Sequence, residues 1–97
     1  MRHMVICRKR TRLDAKSDCT LVYYVTVNDL TEPLSGMELE SFGVGITIYE
    51  NGETGIVPNV TFSKTGVLSL ADLLAFNLVT PVTVRDIVED WLCADTC

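Results

Sequence analysis

The chain has 97 residues and is poor in the groups that most enzymes and membrane proteins need. Histidine occurs once, at His3 near the N-terminus, which disfavours a catalytic triad built around an imidazole. The longest apolar stretches are interrupted by Thr26, Asp72 and Asn77, so none reaches the about eighteen residues of a membrane span. The apolar stretch at residues 4–7 is too short for a secretory signal. We therefore expect a cytoplasmic protein that does not contact a membrane.

The remaining chemistry-bearing residues do not form a catalytic pattern. Asp86, Glu89 and Asp90 share one exposed face of a predicted helix, an arrangement more typical of solvation than of a magnesium or acid–base site. Gly43 and Gly45 lack the Lys-Ser/Thr ending and the following helix of a phosphate-binding loop. We predict a non-enzymatic protein with no catalytic residue, no metal ligand and no cofactor.

The four cysteines leave three chemical states open. Their number is compatible with two disulfides, one zinc site or four thiols. The spacing of Cys7, Cys19, Cys93 and Cys97 shows no C-x-x-C pair and no neighbouring histidine, which argues against zinc. In a cytoplasmic protein reduced thiols are favoured.

Basic residues are concentrated at the start of the chain. Residues 1–18 hold six of the eight Lys and Arg and two acids, whereas residues 19–97 hold two bases and eleven acids. We name Arg8, Lys9, Arg10 and Arg12 the basic arm. In a strand its three arginines project from one face. This pattern indicates either contact with an anionic partner or an edge strand kept soluble by charge.

Alternating apolar residues predict strands at about residues 3–13, 20–28, 42–50 and 53–58. The alternation places one set of side chains on a common face in each central strand: Leu21, Tyr23, Val25 and Val27, then Phe42, Val44, Ile46 and Ile48. The first two strands are joined by a polar turn at residues 14–18, and Asn51-Gly52 predicts a type I′ hairpin turn between the last two. Residues 28–41 are interpreted as an irregular connection, and Pro58 either ends the fourth strand or confines it to an edge of the sheet.

Two helices are predicted at about residues 64–78 and 81–93. The first is apolar nearly all round, which predicts deep burial, and either Ser63 or Ser69 caps its start. The second is amphipathic, with Thr80 as its cap, Pro81 in its first position and Trp91 as either a core residue or part of a partner patch. Residues 1–97 thus form a single α+β domain: a four-stranded antiparallel sheet of two hairpins with two C-terminal helices on one face.

Three segments carry a family resemblance. They are residues 21–24 (Leu-Val-Tyr-Tyr), 42–46 (Phe-Gly-Val-Gly-Ile) and 79–92, the Thr-Pro-started helix that ends Asp-Ile-Val-Glu-Asp-Trp-Leu. They resemble a family of small, mostly Gram-positive bacterial proteins recorded only as a domain of unknown function. Phe42 stands where that family has Tyr, and residues 93–97 have no counterpart. The resemblance implies the fold and a cytoplasmic bacterial setting, and it transfers no catalytic residue.

One sheet face remains open if both helices cover the other. The open face then carries Val22, Tyr24, Thr47 and Tyr49. We predict a protein-interaction or regulatory module whose partner is another protein, a second copy of this chain included. Its predicted contact residues are Tyr24 and Tyr49 on the sheet and Asp86, Glu89 and Asp90 on the second helix. The alternative is a nucleic-acid-associated accessory protein that uses the basic arm.

Overall fold

The structure is a computed structural model that describes residues 1–12 and 18–96. Four strands precede two helices: β1 (Arg2–Arg12), β2 (Asp18–Thr31), β3 (Glu38–Ile48), β4 (Thr54–Thr61), α1 (Lys64–Phe76) and α2 (Val84–Thr96). The strands form one antiparallel sheet in the order β1-β2-β3-β4, and the helices pack on one of its faces. The predicted α+β class is confirmed. The turn predicted between the first two strands lies mostly outside the described residues.

The core lies between this sheet face and the helices. The predicted inward side chains of β2 and β3 are all buried there, from Leu21 to Val27 and from Phe42 to Ile48 in alternation. The hydroxyl of Tyr23 donates a hydrogen bond to the carbonyl oxygen of Val79 at 2.9 Å, which satisfies the one polar atom of this buried ring. Burial raises the pKa of Tyr23 to about 12.

The β2–β3 hairpin is longer than the sequence pattern predicts. Residues 28–31 pair with residues 38–41, so most of the predicted irregular connection is a strand ladder. Gly36, at φ 71°, donates its backbone N–H to the carbonyl oxygen of Glu32 in the closing turn. Backbone pairing extends here through a segment with little apolar alternation, because the turn at residues 33–35 brings the two strands of the hairpin together.

Two bulges shape the sheet. In β1 the partner of Val5 is Tyr24 and the partner of Cys7 is Tyr23, so Ile6 is an extra residue and the two halves of β1 change phase. In β4 three residues lie between Val57, which faces Val44, and Thr61, which faces Phe42. Pro58 sits in this second bulge, and β4 continues beyond it to Thr61, so the strand does not end at Pro58. The alternative prediction, an edge strand, is confirmed, because β4 is the outermost strand of the sheet. The bulge accommodates a residue that has no N–H to donate to the ladder.

Helix α1 is not buried all round, contrary to the expectation from its composition. Its inward side is formed by Val67, Leu70, Ala71, Leu74 and Ala75. Phe76 is 85% exposed, and Leu73 and Leu78 are also exposed. A helix lying on one face of a sheet covers only one of its own sides unless a further layer packs on it. Ser63 is the N-cap, and its hydroxyl accepts from the N–H of Gly66 at 3.0 Å.

Helix α2 begins at Val84, three residues later than the Thr-Pro pattern suggests. Residues 81–83 form a turn, and the first helical bond runs from the N–H of Ile87 to the carbonyl oxygen of Thr83. Val84 and Val88 are buried, and the half-buried Trp91 packs against the core. Trp91 therefore serves packing, one of its two predicted roles.

The cysteine state is defined for two of the four residues. Cys7 and Cys19 are free thiols on the helix-covered side of the sheet, opposite Tyr23 and Thr11. Cys93 is exposed on α2, and Cys97 lies outside the described residues. Among the side chains of residues 1–12 and 18–93, no three of His, Cys, Asp or Glu are grouped closely enough to hold a metal ion.

No helix in the described part of the chain has the length and apolar character required to cross a membrane.

Candidate functional site

The face of the sheet opposite the helices contains a groove of about 450 Å³. We name it the open-face groove. All four strands contribute side chains to it: His3, Val5 and Arg8 from β1, Val22 and Tyr24 from β2, Thr47 of β3 with the following Tyr49, and Thr54 and Ile56 from β4. The bulge at Ile6 is what brings His3 and Val5 to the same face as Arg8.

Tyr24 forms the floor of the open-face groove. A Cβ atom on Gly45, its partner in β3, would overlap Cε2 of the Tyr24 ring and lie 2.8 Å from the hydroxyl oxygen. The glycine thus allows the ring to lie flat on the sheet. His3 stacks on the other side, with ring centroids 4.8 Å apart and planes inclined by 21°. Tyr24 is consequently only 5% exposed, although it belongs to the open face.

A chain of hydroxyl groups runs along the β3–β4 side of the groove. Tyr24 Oη is 3.2 Å from Thr47 Oγ1, which is 2.9 Å from Thr54 Oγ1. Thr54 donates to the carbonyl oxygen of Gly52 at 3.1 Å. Since each hydroxyl has one proton, Thr54 must accept from Thr47, and Thr47 in turn from Tyr24. All three protons point along the chain, so these groups offer a ligand lone pairs and no donor.

The rest of the groove is apolar and accessible. Tyr49 is 74% exposed, Val5 is exposed, and Val22 and Ile56 are half-buried. An exposed aromatic ring beside aliphatic side chains is typical of the central contacts of protein interfaces. Among the residues that the structure describes, the groove lining contains no carboxylate, lysine or thiol.

The basic arm is divided by the register of β1. Arg8, Arg10 and Arg12 face Val22, Thr20 and Asp18 on the open side, as predicted, and Lys9 alternates to the other side. Asp18 lies 3.2 Å from Nε of Arg12 and 3.9 Å from Nε of Arg10. Arg8 makes no ion pair with any residue in the described ranges. Of the four predicted bases, Arg8 alone lines the groove and lacks a carboxylate partner there.

A second carboxylate lies near the same end of the sheet. Glu50 accepts hydrogen bonds from the backbone N–H of Thr20 at 2.7 Å and from its hydroxyl at 2.9 Å. The bond from the backbone N–H, above all, holds the pKa of Glu50 below its ordinary value, and Arg10 acts in the same direction. Glu50 therefore stays ionised at neutral pH and, with Asp18, offsets part of the positive charge of the basic arm.

The predicted protein-contact residues fall on two opposite layers. Tyr24 and Tyr49 line the open-face groove, one as floor and the other as wall. The acidic residues of α2, namely Asp86, Glu89 and Asp90, are exposed on the helical layer. The two groups therefore do not form one surface, and a single partner segment in the groove does not contact α2.

Sequence reasoning missed part of the groove. It set His3 aside because residues near a terminus are commonly frayed. The bulge at Ile6, which turns His3 toward the groove, has no signal in the local sequence. The face of Thr54 and Ile56 was within reach of prediction: a two-residue turn at Asn51-Gly52 pairs them with Tyr49 and Thr47. The observed register pairs them with Thr47 and Gly45 instead, a shift of two residues that leaves them on the same face. The alternation of β4 then places both side chains on the open face.

Comparison with curated proteins finds no match, and comparison with solved structures finds none either. A family model described as "Family of unknown function (DUF6514)" matches residues 2–94. The match covers all four strands and nearly all of α2. The chain therefore belongs to this family of unknown function, DUF6514.

Proposed function

We propose that this chain is a non-enzymatic, cytoplasmic protein-binding module that accepts a partner segment in the open-face groove. The segment presents an apolar side chain to the groove and a carboxylate to Arg8. The observation that carries the proposal is the combination of an accessible apolar groove with one arginine that has no carboxylate partner among the described residues. The free thiols of Cys7 and Cys19 are compatible with a reducing compartment.

The apolar part of the groove supplies the favourable free energy of binding. Covering apolar surface contributes roughly 25 cal/mol per Å² removed from water. Tyr24 is already fixed by its stack with His3, so its ring loses little freedom when a ligand binds. A leucine, methionine or aromatic side chain of the partner fits this surface.

Arg8 supplies orientation and selectivity. The chain as a whole carries a net charge of −5, but exposed charges more than about 8 Å apart are largely screened at physiological salt. The local charge at the groove is therefore the charge that a partner segment meets. A guanidinium group without a carboxylate neighbour favours an Asp or Glu next to the apolar anchor.

The nucleic-acid alternative has weaker support. A backbone-tracking surface needs several cations on one side, and on this face Asp18 and Glu50 accompany Arg10 and Arg12. Lys9 lies on the other side of the strand. The exposed aromatic ring of Tyr49 is the feature that favours stacking with a base.

The test is a selection of random dodecapeptides displayed on phage against the immobilised chain, followed by affinity measurements on synthetic peptides. We expect enriched peptides to combine a large apolar residue with Asp or Glu. Tyr49→Glu and Arg8→Glu should each weaken their binding by at least about tenfold, which corresponds to about 1.4 kcal/mol. Val82→Glu is the matched control, because Val82 is exposed outside the groove, between α1 and α2.

Two outcomes contradict the proposal. One is the absence of enriched peptides, and the other is enrichment of peptides whose affinity is the same for the wild-type chain and both groove variants. Binding of a fluorescent single-stranded oligonucleotide that falls steeply with salt and is lost in Arg12→Glu would instead favour the nucleic-acid alternative.

A further inference from the structure

We propose that the open-face groove is occupied by the tip of the β2–β3 hairpin of a second copy, and that two copies exchange their tips in a twofold-symmetric dimer. This inference rests on the proposed function, because it names the segment that the groove accepts. We define the hairpin tip as residues 29–40, which extend from the end of β2 through the turn into the start of β3.

The hairpin tip exposes the apolar side chains that the groove requires. Leu34 is 96% exposed, and Leu30, Met37 and Leu39 are also exposed. Leu30 and Leu39 are directly paired across the two strands. By alternation they share a face with Tyr24 and Gly45, which is the face of the open-face groove.

The charge of the tip is complementary to that of the groove. Residues 29–40 contain four acids and no base. Arg2 binds Asp29 and Glu40, each at 2.9 Å. Glu32 and Glu38 make no ion pair with any residue that the structure describes. Glu38, next to Leu39 in β3, projects from the opposite face, so Glu32 in the turn is the carboxylate without an ion pair that the tip offers to the groove together with its leucine side chains. The groove offers Arg8 beside an apolar floor.

The tip is ordered before it binds. The N–H of Glu32 donates to the carbonyl oxygen of Met37, and the N–H of Gly36 to that of Glu32, both at 2.8 Å. The carboxylate of Glu32 accepts from the N–H of Ser35 at 2.6 Å. A segment held in one conformation loses little entropy on docking, which favours association.

The tip cannot reach the groove of its own chain. Thr31, at the end of β2, is nine residues beyond Val22 in the groove, a separation of about 30 Å along an extended strand. The occupant must therefore come from another molecule. Because tip and groove share one face, two copies stacked face to face in opposite directions place each tip over the partner's groove.

This arrangement has closed symmetry and sufficient area. Twofold dimers are the commonest closed assemblies of identical chains. The molecule measures 55 × 30 × 18 Å, so its broad face exceeds the roughly 800 Å² per partner of a standard interface.

Sedimentation velocity from micromolar to millimolar concentration tests the proposal on the full chain. We expect a concentration-dependent monomer–dimer equilibrium that weakens as salt rises. Leu30→Asp in the tip and Arg8→Glu in the groove should each raise the dimer dissociation constant at least about tenfold. Phe76→Asp, on the helical layer, is the control and should leave it unchanged, and circular dichroism verifies that all three variants are folded.

Mixing the two interface variants gives the sharper result. The Arg8→Glu chain retains an intact tip and the Leu30→Asp chain an intact groove, so their heterodimer has one intact contact and one contact with both substitutions, whereas each homodimer has two contacts with one substitution. Because one substitution already disrupts a contact, a second substitution in the same contact costs little more. We expect the mixture to dimerise more tightly than either variant alone. If the mixture dimerises no more tightly than the two variants do separately, the tip–groove pairing is wrong. Wild-type species larger than dimers overturn the closed arrangement.

The outcome also separates this inference from the proposed function. If the chain stays monomeric to millimolar concentration but selected peptides bind its groove, the groove accepts a segment of a different protein. The proposed function then stands and the dimer does not. If the chain is monomeric and its groove binds no peptide, both the proposed function and the dimer are wrong.

Discussion

Replacing Gly43 with alanine is expected to lower the free energy of unfolding by about 3 kcal/mol, because the added methyl group overlaps backbone atoms. A Cβ at this position would overlap the carbonyl oxygen of Val57 and lie 2.6 Å from Cα of Pro58 and 2.7 Å from Oγ1 of Thr26. The β4 bulge folds over Gly43 on the open face, and its backbone cannot move aside without breaking the β3–β4 pairing. Urea unfolding measures the loss.

Gly45→Ala is the matched comparison in the same strand and on the same face. Its methyl group meets the ring of Tyr24, a side chain that is able to rotate away, so we expect a smaller loss of about 1 kcal/mol. The Tyr24 ring should then leave its stack with His3, which changes the aromatic NMR shifts of both residues. Equal stability losses for the two alanine variants would contradict the rigid bulge.

Leu74→Ala in α1 is expected to destabilise the chain by about 3 kcal/mol, whereas Phe76→Ala should change stability by less than about 0.5 kcal/mol. Leu74 is 1% exposed and lies between the helix and the sheet. The substitution has two costs: less apolar surface is removed from water on folding, and the deleted methyl groups leave a cavity in the core. Phe76 is two residues further along, on the solvent side of the same helix.

This pair of variants measures which side of α1 is buried. Urea unfolding of both variants under the same conditions compares an inward and an outward apolar residue in one helix. Similar losses for Leu74→Ala and Phe76→Ala would mean that α1 is covered on both sides, as its composition suggests. That result would contradict the two-layer architecture.

Much of the sheet was predictable because its signals are local. Period-two alternation alone assigns Leu21, Tyr23 and Val25 to the covered face, and the structure confirms this assignment. The chain does turn at Asn51-Gly52, and Gly52 has a positive φ as predicted. The type I′ geometry is wrong, however, because Asn51 does not have a positive φ and the turn spans the four residues 49–52 between Ile48 and Glu53. In both cases the determining interactions lie within a few residues.

Features that depend on distant contacts were not predictable from the pattern. The extension of the β2–β3 hairpin depends on pairing between its arms, because residues 28–31 have little apolar alternation of their own. The exposed side of α1 depends on the absence of a third layer over Phe76 in the described structure, and apolar composition does not contain that information.

The candidate site shows the same division. Alternation placed Tyr24 and Tyr49 on the open face, but the burial of Tyr24 depends on Gly45 in the neighbouring strand and on the His3 stack. Alternation also placed Arg8, Arg10 and Arg12 on one side. The difference between them depends on where Asp18 lies in the β1–β2 register, which sequence spacing alone does not show.

The most direct test of the open-face groove as the binding site is an NMR titration of the labelled chain with a peptide from the selection. The Leu30→Asp variant keeps the groove intact and limits competition from a second copy. We predict that the amide shift changes cluster at Val22, Tyr24, Thr47 and Thr54. Changes centred on Asp86, Glu89 and Asp90 of α2 would contradict the account, because that surface lies on the opposite layer.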